Sequence, residues 1–163
     1  MIDPDIYAQA EAVLAACRAR GLTIATAESC TGGLVAGALT AVPGSSDVVD
    51  RGFVTYSNAA KMAMLGVPAG MLDQYGAVSA QTAEAMARGA LKAAGTSLAV
   101  SITGVAGPGG GSDAKPVGLV HFGCARADGT VLLREERFGS LSRDDIRMRS
   151  VSVALGLLAE LAG

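Results

Sequence analysis

Three short segments carry the residues that could do chemistry: Glu28-Ser29-Cys30-Thr31-Gly32-Gly33, Tyr56-Ser57-Asn58-Ala59-Ala60-Lys61, and the glycine-dense stretch GVAGPGGGSDAKPVG from Gly104 to Gly118. Ser29 stands where a strand gives way to a helix, a place from which a hydroxyl can enter a cleft while helix amides face a developing oxyanion. A serine attacks an acyl carbon only after a base removes its proton. The single histidine, His121, lies inside a strand between Val120 and Phe122 with no partner pattern nearby, so a serine-histidine-acid triad is not expected. Lys61 is the better base, because a lysine buried at a sheet end loses its proton near neutral pH when desolvation depresses its pKa. Tyr56, five residues earlier, could relay or orient that proton. The competing reading is structural: Ser29 or Thr31 caps the next helix, and Lys61 is a solvated helix residue. Cys30 is a rival nucleophile, but no histidine is near it to form a thiolate, and its alternative is a buried helix thiol.

The glycines from Gly104 to Gly111 expose amides that could cradle an anion. Arg143 and Arg147, four residues apart, share one face of the final helix and could pair with a phosphate; solvated surface arginines are the alternative. No GxxxxGK[ST] sequence occurs, so a nucleoside-triphosphate loop is not indicated. One histidine and scattered acidic residues offer no metal-ligand cluster, and no metal is expected.

These segments need elements to hold them. Asp3-Pro4 reads as a cap with proline in the first turn, followed by Ile6, Ala10, Val13, Leu14 and Cys17 at helical spacing up to Gly21. Leu22 to Ala27 is a short β-rich run, and Leu34 to Leu39 is helix-like after the polar turn. Val42 to Ser46 is a break, Gly52 to Thr55 is a second strand, and Ser57 caps a short helix through Lys61 to Leu65. Pro68 starts another short helical piece ending near Gly76, and Ser79 caps a longer helix from Ala80 to Ala94. Leu98 to Thr103 is a buried strand running into the glycine-rich loop. Leu119 to Cys124 and Thr130 to Phe138 flank the Asp128-Gly129 turn of an antiparallel hairpin. The last helix begins at Ser142, with Asp145 three residues on as a weaker capping box, and runs close to the end. The pattern predicts an α/β fold, a single domain over 1–163 with a mixed sheet and helices packed on it. Ligands of open α/β sheets bind beyond the carboxyl ends of strands, so the three segments should converge on one pocket.

Composition narrows the function. Half of the 163 residues are hydrophobic and 17% are charged, against roughly 25% charged in an average soluble domain. Either the core is unusually full or a second copy covers part of the surface, most simply in a two-fold dimer. The net charge of −2, three Phe, three Tyr and no Trp give little for nucleic acid to bind. The longest apolar stretches, Leu34 to Val42 and Ser97 to Ile102, fall short of the roughly 18 residues that span a bilayer. The N-terminus has no basic lead or apolar signal core, so a cytoplasmic location is expected. Cys17, Cys30 and Cys124 are three and form no C-x-x-C pair, which suggests neither disulfides nor zinc.

Read together, TAESCTGG from Thr26 to Gly33, GFVTYSNAAK from Gly52 to Lys61, GAVS from Gly76 to Ser79 and SITGVAGPGGGSDAKPVG from Ser101 to Gly118 resemble the CinA C-terminal domain family over nearly the whole chain. The resemblance implies hydrolysis of the carboxamide of nicotinamide mononucleotide to nicotinate mononucleotide and ammonia, with no added cofactor. It places Ser29 on the family's proposed nucleophile, Lys61 on its proposed base, and Tyr56 on the tyrosine near them. Thr103 falls where the family carries serine or threonine, beside Gly104. In the mechanism so implied, amides around Cys30, Thr31, Gly32 and Gly33 hold the oxyanion. Longer members carry an additional N-terminal domain resembling molybdopterin-binding proteins, whose activity is not expected of this sequence. The rival expectations are a non-catalytic nucleotide-binding protein tied to competence or DNA repair, and an amidohydrolase acting on another amide.

Overall fold

Local signals start and stop the helices. In the computed structural model, which describes residues 2–163 and so leaves only Met1 of the single domain outside, the Asp3 carboxylate accepts the amides of Asp5 and Ile6 at 2.9 and 3.2 Å. Helix α1 (Pro4–Arg20) therefore begins at proline, which has no amide to lose, and ends at Gly21 in the left-handed region. Ser57, Ser79 and Ser142 cap α3 (Asn58–Leu65), α5 (Ala80–Ala94) and α6 (Arg143–Ala162) through their hydroxyls. Two shorter helices, α2 (Leu34–Thr40) and α4 (Ala69–Tyr75), have no side-chain cap bond at their first residue. A single 3-10 turn at Ser45–Asp47 occupies the break after α2.

The strands are β1 (Ile24–Glu28), β2 (Val49–Val54), β3 (Leu98–Gly104), β4 (Leu119–Arg126) and β5 (Val131–Arg137), in the spatial order β2-β1-β3-β4-β5. β1 pairs in parallel with β2 and β3, while β3-β4 and β4-β5 are antiparallel. The mixed sheet expected from the sequence is thus present. Several strand limits moved, and where a strand lengthened the reason is that pairing partners extend it beyond its local pattern. β2 begins at Val49, opposite Ile24, and β1 continues through Glu28, opposite Val54 and Ile102. The sequence assigned Glu28 to the turn because a carboxylate is rarely buried in a strand.

The topology sets the site. From β1 the chain turns to β2 on one side, then crosses back past β1 to β3 on the other, so the order reverses at β1. Parallel pairing puts the carboxyl ends of β1, β2 and β3 on one edge, and the three polar segments follow those ends.

Side-chain alternation divides the core into two layers. Ile24, Leu98, Val100, Ile102, Val120, Phe122 and Cys124 join residues of α1, α2 and α6 in the larger cluster. Fully burying a Leu, Ile or Val there stabilises by roughly 1.5–3 kcal/mol relative to exposure, and Leu14, Leu155 and Leu158 are all buried. The opposite face presents the small residues Ala25, Ala27 and Ala99 to Met86 and Ala90 of α5, with Leu65, Val67 and Leu72 beside them. Small residues let α5 lie close: the Ser101 hydroxyl donates to the Ala83 carbonyl at 2.5 Å. A Cβ on Gly89 would stand 2.0 Å from the Leu65 carbonyl oxygen, so only glycine lets α5 cross the end of α3, the helix that carries Lys61.

Cys17, Cys30 and Cys124 are buried free thiols. Among the described residues no helix is long and apolar enough to cross a membrane. Val54, Tyr56, Met62 and Met64 stay exposed on and around the β2 end and α3.

Candidate active site

Ser29 follows β1 directly, and its amide donates to the Ile102 carbonyl at 2.9 Å, which prolongs the ladder with β3 by one residue. The serine is thereby fixed at the reversal point, with 9% of its surface exposed. Lys61 arrives from the neighbouring strand end: Ser57 caps α3, and one turn later the side chain runs back under the sheet edge, 1% exposed. Its Nζ lies 3.0 Å from Ser29 Oγ, 2.8 Å from the Thr55 carbonyl and 3.4 Å from the Tyr56 carbonyl. Among the described residues no carboxylate forms an ion pair with it. Burial without a counter-charge pushes the Lys61 pKa below that of a free lysine. A neutral amine has two N–H bonds and one lone pair. With Nζ charged, the lysine donates to all three oxygens; in its neutral form the two carbonyls, which can only accept, would take the two N–H groups and leave the lone pair for the hydroxyl of Ser29.

The turn between β1 and α2 is held differently from the sequence expectation. Helix amides were expected to face the oxyanion, but those of Val35 and Ala36 donate to the Glu28 carboxylate at 2.9 and 3.1 Å, and the Thr31 hydroxyl donates to it at 2.6 Å. Glu28 is fully buried and closes the N-terminus of α2, where the helix dipole favours a negative charge. Sequence reading missed this role; its one signal is an acid at a strand end just before a helix. Gly32 and Gly33 have φ of 58° and 105°, which lets the chain turn from strand to helix within this short loop. The amide of Gly32 donates back to the Ser29 carbonyl at 3.0 Å. Of the four amides from Cys30 to Gly33 that the sequence offered to an oxyanion, Gly32 is thus engaged, while those of Cys30, Thr31 and Gly33 make no hydrogen bond to another of the described residues, and Cys30 lines the cleft beside Ser29.

That cleft, 290 Å³, is lined by Ser29, Cys30, Tyr56 and Lys61 on one side and by the loop from Gly104 to Gly110 with Arg143 on the other. Among the described residues the amides of Ala106, Gly107, Gly109 and Gly110 have no hydrogen-bond partner. Arg143 donates to the Gly107 carbonyl at 2.7 Å and to the Tyr56 hydroxyl at 3.0 Å, so the phenol meets Arg143, and Tyr56 reaches Lys61 only through its backbone carbonyl. Thr103 is beside the cleft with its hydroxyl donating to the Ala77 carbonyl at 2.8 Å, which fastens the Ala77-Val78 wall. Gly104 has no room for a side chain: a Cβ would stand 2.9 Å from the Leu119 carbonyl oxygen. Arg147 does not line the cleft. Its guanidinium donates to the carbonyls of Cys30 and Thr31 at 3.1 and 3.3 Å, so the structure separates the two arginines that the sequence aimed at one anion.

The remaining candidates fall away on chemical grounds. Burial pushes the Cys30 thiol up to about 11, so it stays protonated at neutral pH. His121 sits in β4, its Nε2 3.6 Å from Glu135, outside the cleft. A larger groove of 560 Å³ between α3, α4 and α5 is lined by Leu65, Met71, Glu84 and Arg88 and lies away from Ser29. Among the described residues no group of three or more His, Cys, Asp or Glu is placed to hold a metal ion.

Comparison with known proteins supplies an independent line. The CinA C-terminal domain matches residues 7–162. A nicotinamide-nucleotide amidohydrolase of Escherichia coli strain K12 is 50% identical over 158 residues, covering 97% of this chain and 95% of that protein. A CinA-like protein of a Synechococcus species is 54% identical over 150 residues, which are 91% of this chain and 36% of that longer protein. Among solved structures, a competence/damage inducible protein from Agrobacterium tumefaciens superposes with a TM-score of 0.98 at 51% identity, covering 100% of this chain and 99% of that one.

Proposed function

The chain belongs to the CinA C-terminal domain family, and on that premise we propose that it hydrolyses the carboxamide of nicotinamide mononucleotide to nicotinate mononucleotide and ammonia, with Ser29 as nucleophile and Lys61 as base. The observation that carries the chemistry is the buried Lys61 Nζ, 3.0 Å from Ser29 Oγ, with two backbone carbonyls taking its N–H bonds. The substrate comes from the relatives of matching length that are named for this activity.

Neutral Lys61 takes the proton of Ser29 as Oγ attacks the carboxamide carbon, and the Cys30 amide, with that of Thr31, receives the oxyanion. Lys61 returns the proton to nitrogen, the C–N bond breaks, and ammonia leaves an ester on Ser29. Water then gives its proton to Lys61, attacks the ester carbon and releases the carboxylate, and Ser29 recovers its hydrogen. The cationic pyridinium ring withdraws electrons and makes this carbonyl more reactive than that of an ordinary amide. Ammonia release from nicotinamide mononucleotide by the purified protein tests the proposal. Binding without release would favour a non-catalytic nucleotide-binding protein, and release from other amides alone would favour a different amidohydrolase.

The phosphate has a place in this arrangement. Arg143 keeps unengaged N–H groups on the cleft and faces the partnerless amides of the glycine-rich loop. A charge-assisted hydrogen bond contributes about 1.5–3 kcal/mol, so Arg143→Ala should lower kcat/KM for the mononucleotide by about tenfold or more. Slow cleavage of nicotinamide riboside should barely change. Equal losses on both substrates would move the phosphate elsewhere.

The same reading keeps a two-fold dimer, in which exposed Val54, Met62 and Met64 are apolar surface for a second copy to cover. Light scattering at micromolar concentration should return twice the chain mass. A value near 16.2 kDa rejects it.

A further inference from the structure

We infer that Arg147 is a positioning residue for the oxyanion donor, acting through the backbone of the nucleophile turn and not as a ligand of the substrate phosphate. The inference rests on the serine-lysine reading above. Arg147 stands in the second turn of α6, between Ile146 and Met148, with Ile146, Ser150 and Val151 buried against the core. The helix is therefore a rigid platform. From it Nε and NH2 reach the successive carbonyls of Cys30 and Thr31 at 3.1 and 3.3 Å.

Peptide planarity carries this hold to the site. In a trans peptide the C=O of one residue and the N–H of the next point in opposite directions in one plane. Fixing the Thr31 carbonyl therefore fixes the Gly32 N–H, which donates to the Ser29 carbonyl at 3.0 Å. Fixing the Ser29 carbonyl in turn fixes the Cys30 N–H, the unpartnered amide beside the nucleophile. The second contact acts more directly, because the Cys30 carbonyl shares its plane with the Thr31 N–H. Arg147 is thus joined to the amides of Cys30 and Thr31 by rigid planes and hydrogen bonds. Hydrogen bonds in series also polarise one another, so a cation at the head of this chain strengthens the donors at its end. Gly32 permits the approach: a Cβ there would already lie 3.5 Å from NH2 of Arg147. Lysine could place a charge here but not a planar fork on two carbonyls.

A serine-directed alkyl fluorophosphonate tests this without needing a phosphate site, since Lys61 takes the hydroxyl proton, Ser29 Oγ bonds to phosphorus, fluoride leaves with the bonding electrons, and the phosphoryl oxygen occupies the oxyanion position. Arg147→Ala should slow labelling of Ser29 by about a hundredfold, the scale of losing one oxyanion donor, with the melting temperature of the protein largely kept and labelling partly restored by added guanidinium ion. With nicotinamide mononucleotide, kcat should fall by a similar factor while KM stays within about threefold, as for an interaction made only in the transition state. Wild-type labelling rates in the alanine variant overturn the inference, as does a rise in KM for the mononucleotide with kcat unchanged, the signature of a phosphate ligand. If the alanine variant does not fold, Arg147→Lys decides: a loss of about tenfold is expected, because one charge without the fork holds one carbonyl at most, and unchanged labelling overturns the inference. A wild type that labels but releases no ammonia from the mononucleotide overturns the substrate reading and leaves the labelling ratio to judge Arg147. A wild type whose Ser29 does not label overturns both.

Discussion

Ser29→Ala is expected to abolish ammonia release, by several powers of ten, in a protein that is still folded. The size follows from removing the atom that forms the covalent intermediate: what remains is the oxyanion donors and substrate binding, and such nucleophile removals cost about a million-fold in kcat in well-studied hydrolases. Folding survives because the position of residue 29 is set by backbone groups. Its amide stays on Ile102 and its carbonyl on Gly32, and among the described residues the bond lost is the one to Lys61 Nζ. One such hydrogen bond is worth about 1 kcal/mol net, so the melting temperature should move by a few degrees at most. The readout is ammonia release against circular dichroism on the same preparation. Activity above about a tenth of wild type in the alanine variant would remove Ser29 from the mechanism.

The second large effect belongs to Lys61. As the base it works only when neutral, so the rate should climb with pH through a pKa below the roughly 10.4 of free lysine. The direction is set by burial at a site with no carboxylate partner. Lys61→Arg should lose at least a hundredfold, because a guanidinium stays charged across the working range and general-base catalysis contributes about 10²–10⁴-fold. An arginine variant that keeps most of its activity would show that positive charge, not proton abstraction, is what the site requires.

The same shift ties stability to pH. With its pKa lowered in the folded chain, Lys61 binds fewer protons there than in the unfolded chain between the two values. Unfolding free energy should therefore rise with pH through that window, by about 1.4 kcal/mol for each unit of depression. Denaturant titrations should show wild type gaining on Lys61→Met as pH increases toward that of free lysine. A gap that does not change with pH would mean that the lysine is not desolvated in solution.

Much of the positioning was legible in the sequence because the signals are local. Asp3-Pro4, Ser57, Ser79 and Ser142 start helices with amides only two or three residues away, so their caps could be read without knowing the fold. The order of strands, polar segments and helices was readable for the same reason, and it predicted three segments at strand ends. The four motifs pointed to one family, and the comparisons agree.

What the tertiary structure alone decided is which of those residues meet, and in what chemical state. Ser29 and Lys61 are 32 residues apart and touch because β1 and β2 run parallel and side by side, a pairing that no local pattern encodes. Whether Lys61 is a base or a solvated cation depends on burial, and burial is a property of packed layers. Glu28 read as a turn residue until the strand ladder carried it inside and α2 presented its amides. Arg143 and Arg147 have the same residue type and helix face, yet one meets the glycine-rich loop and Tyr56 while the other takes carbonyls from a turn 116 and 117 residues earlier. A guanidinium binds whichever acceptors the fold brings within reach, so sequence spacing named the donors and the topology of the sheet chose their partners.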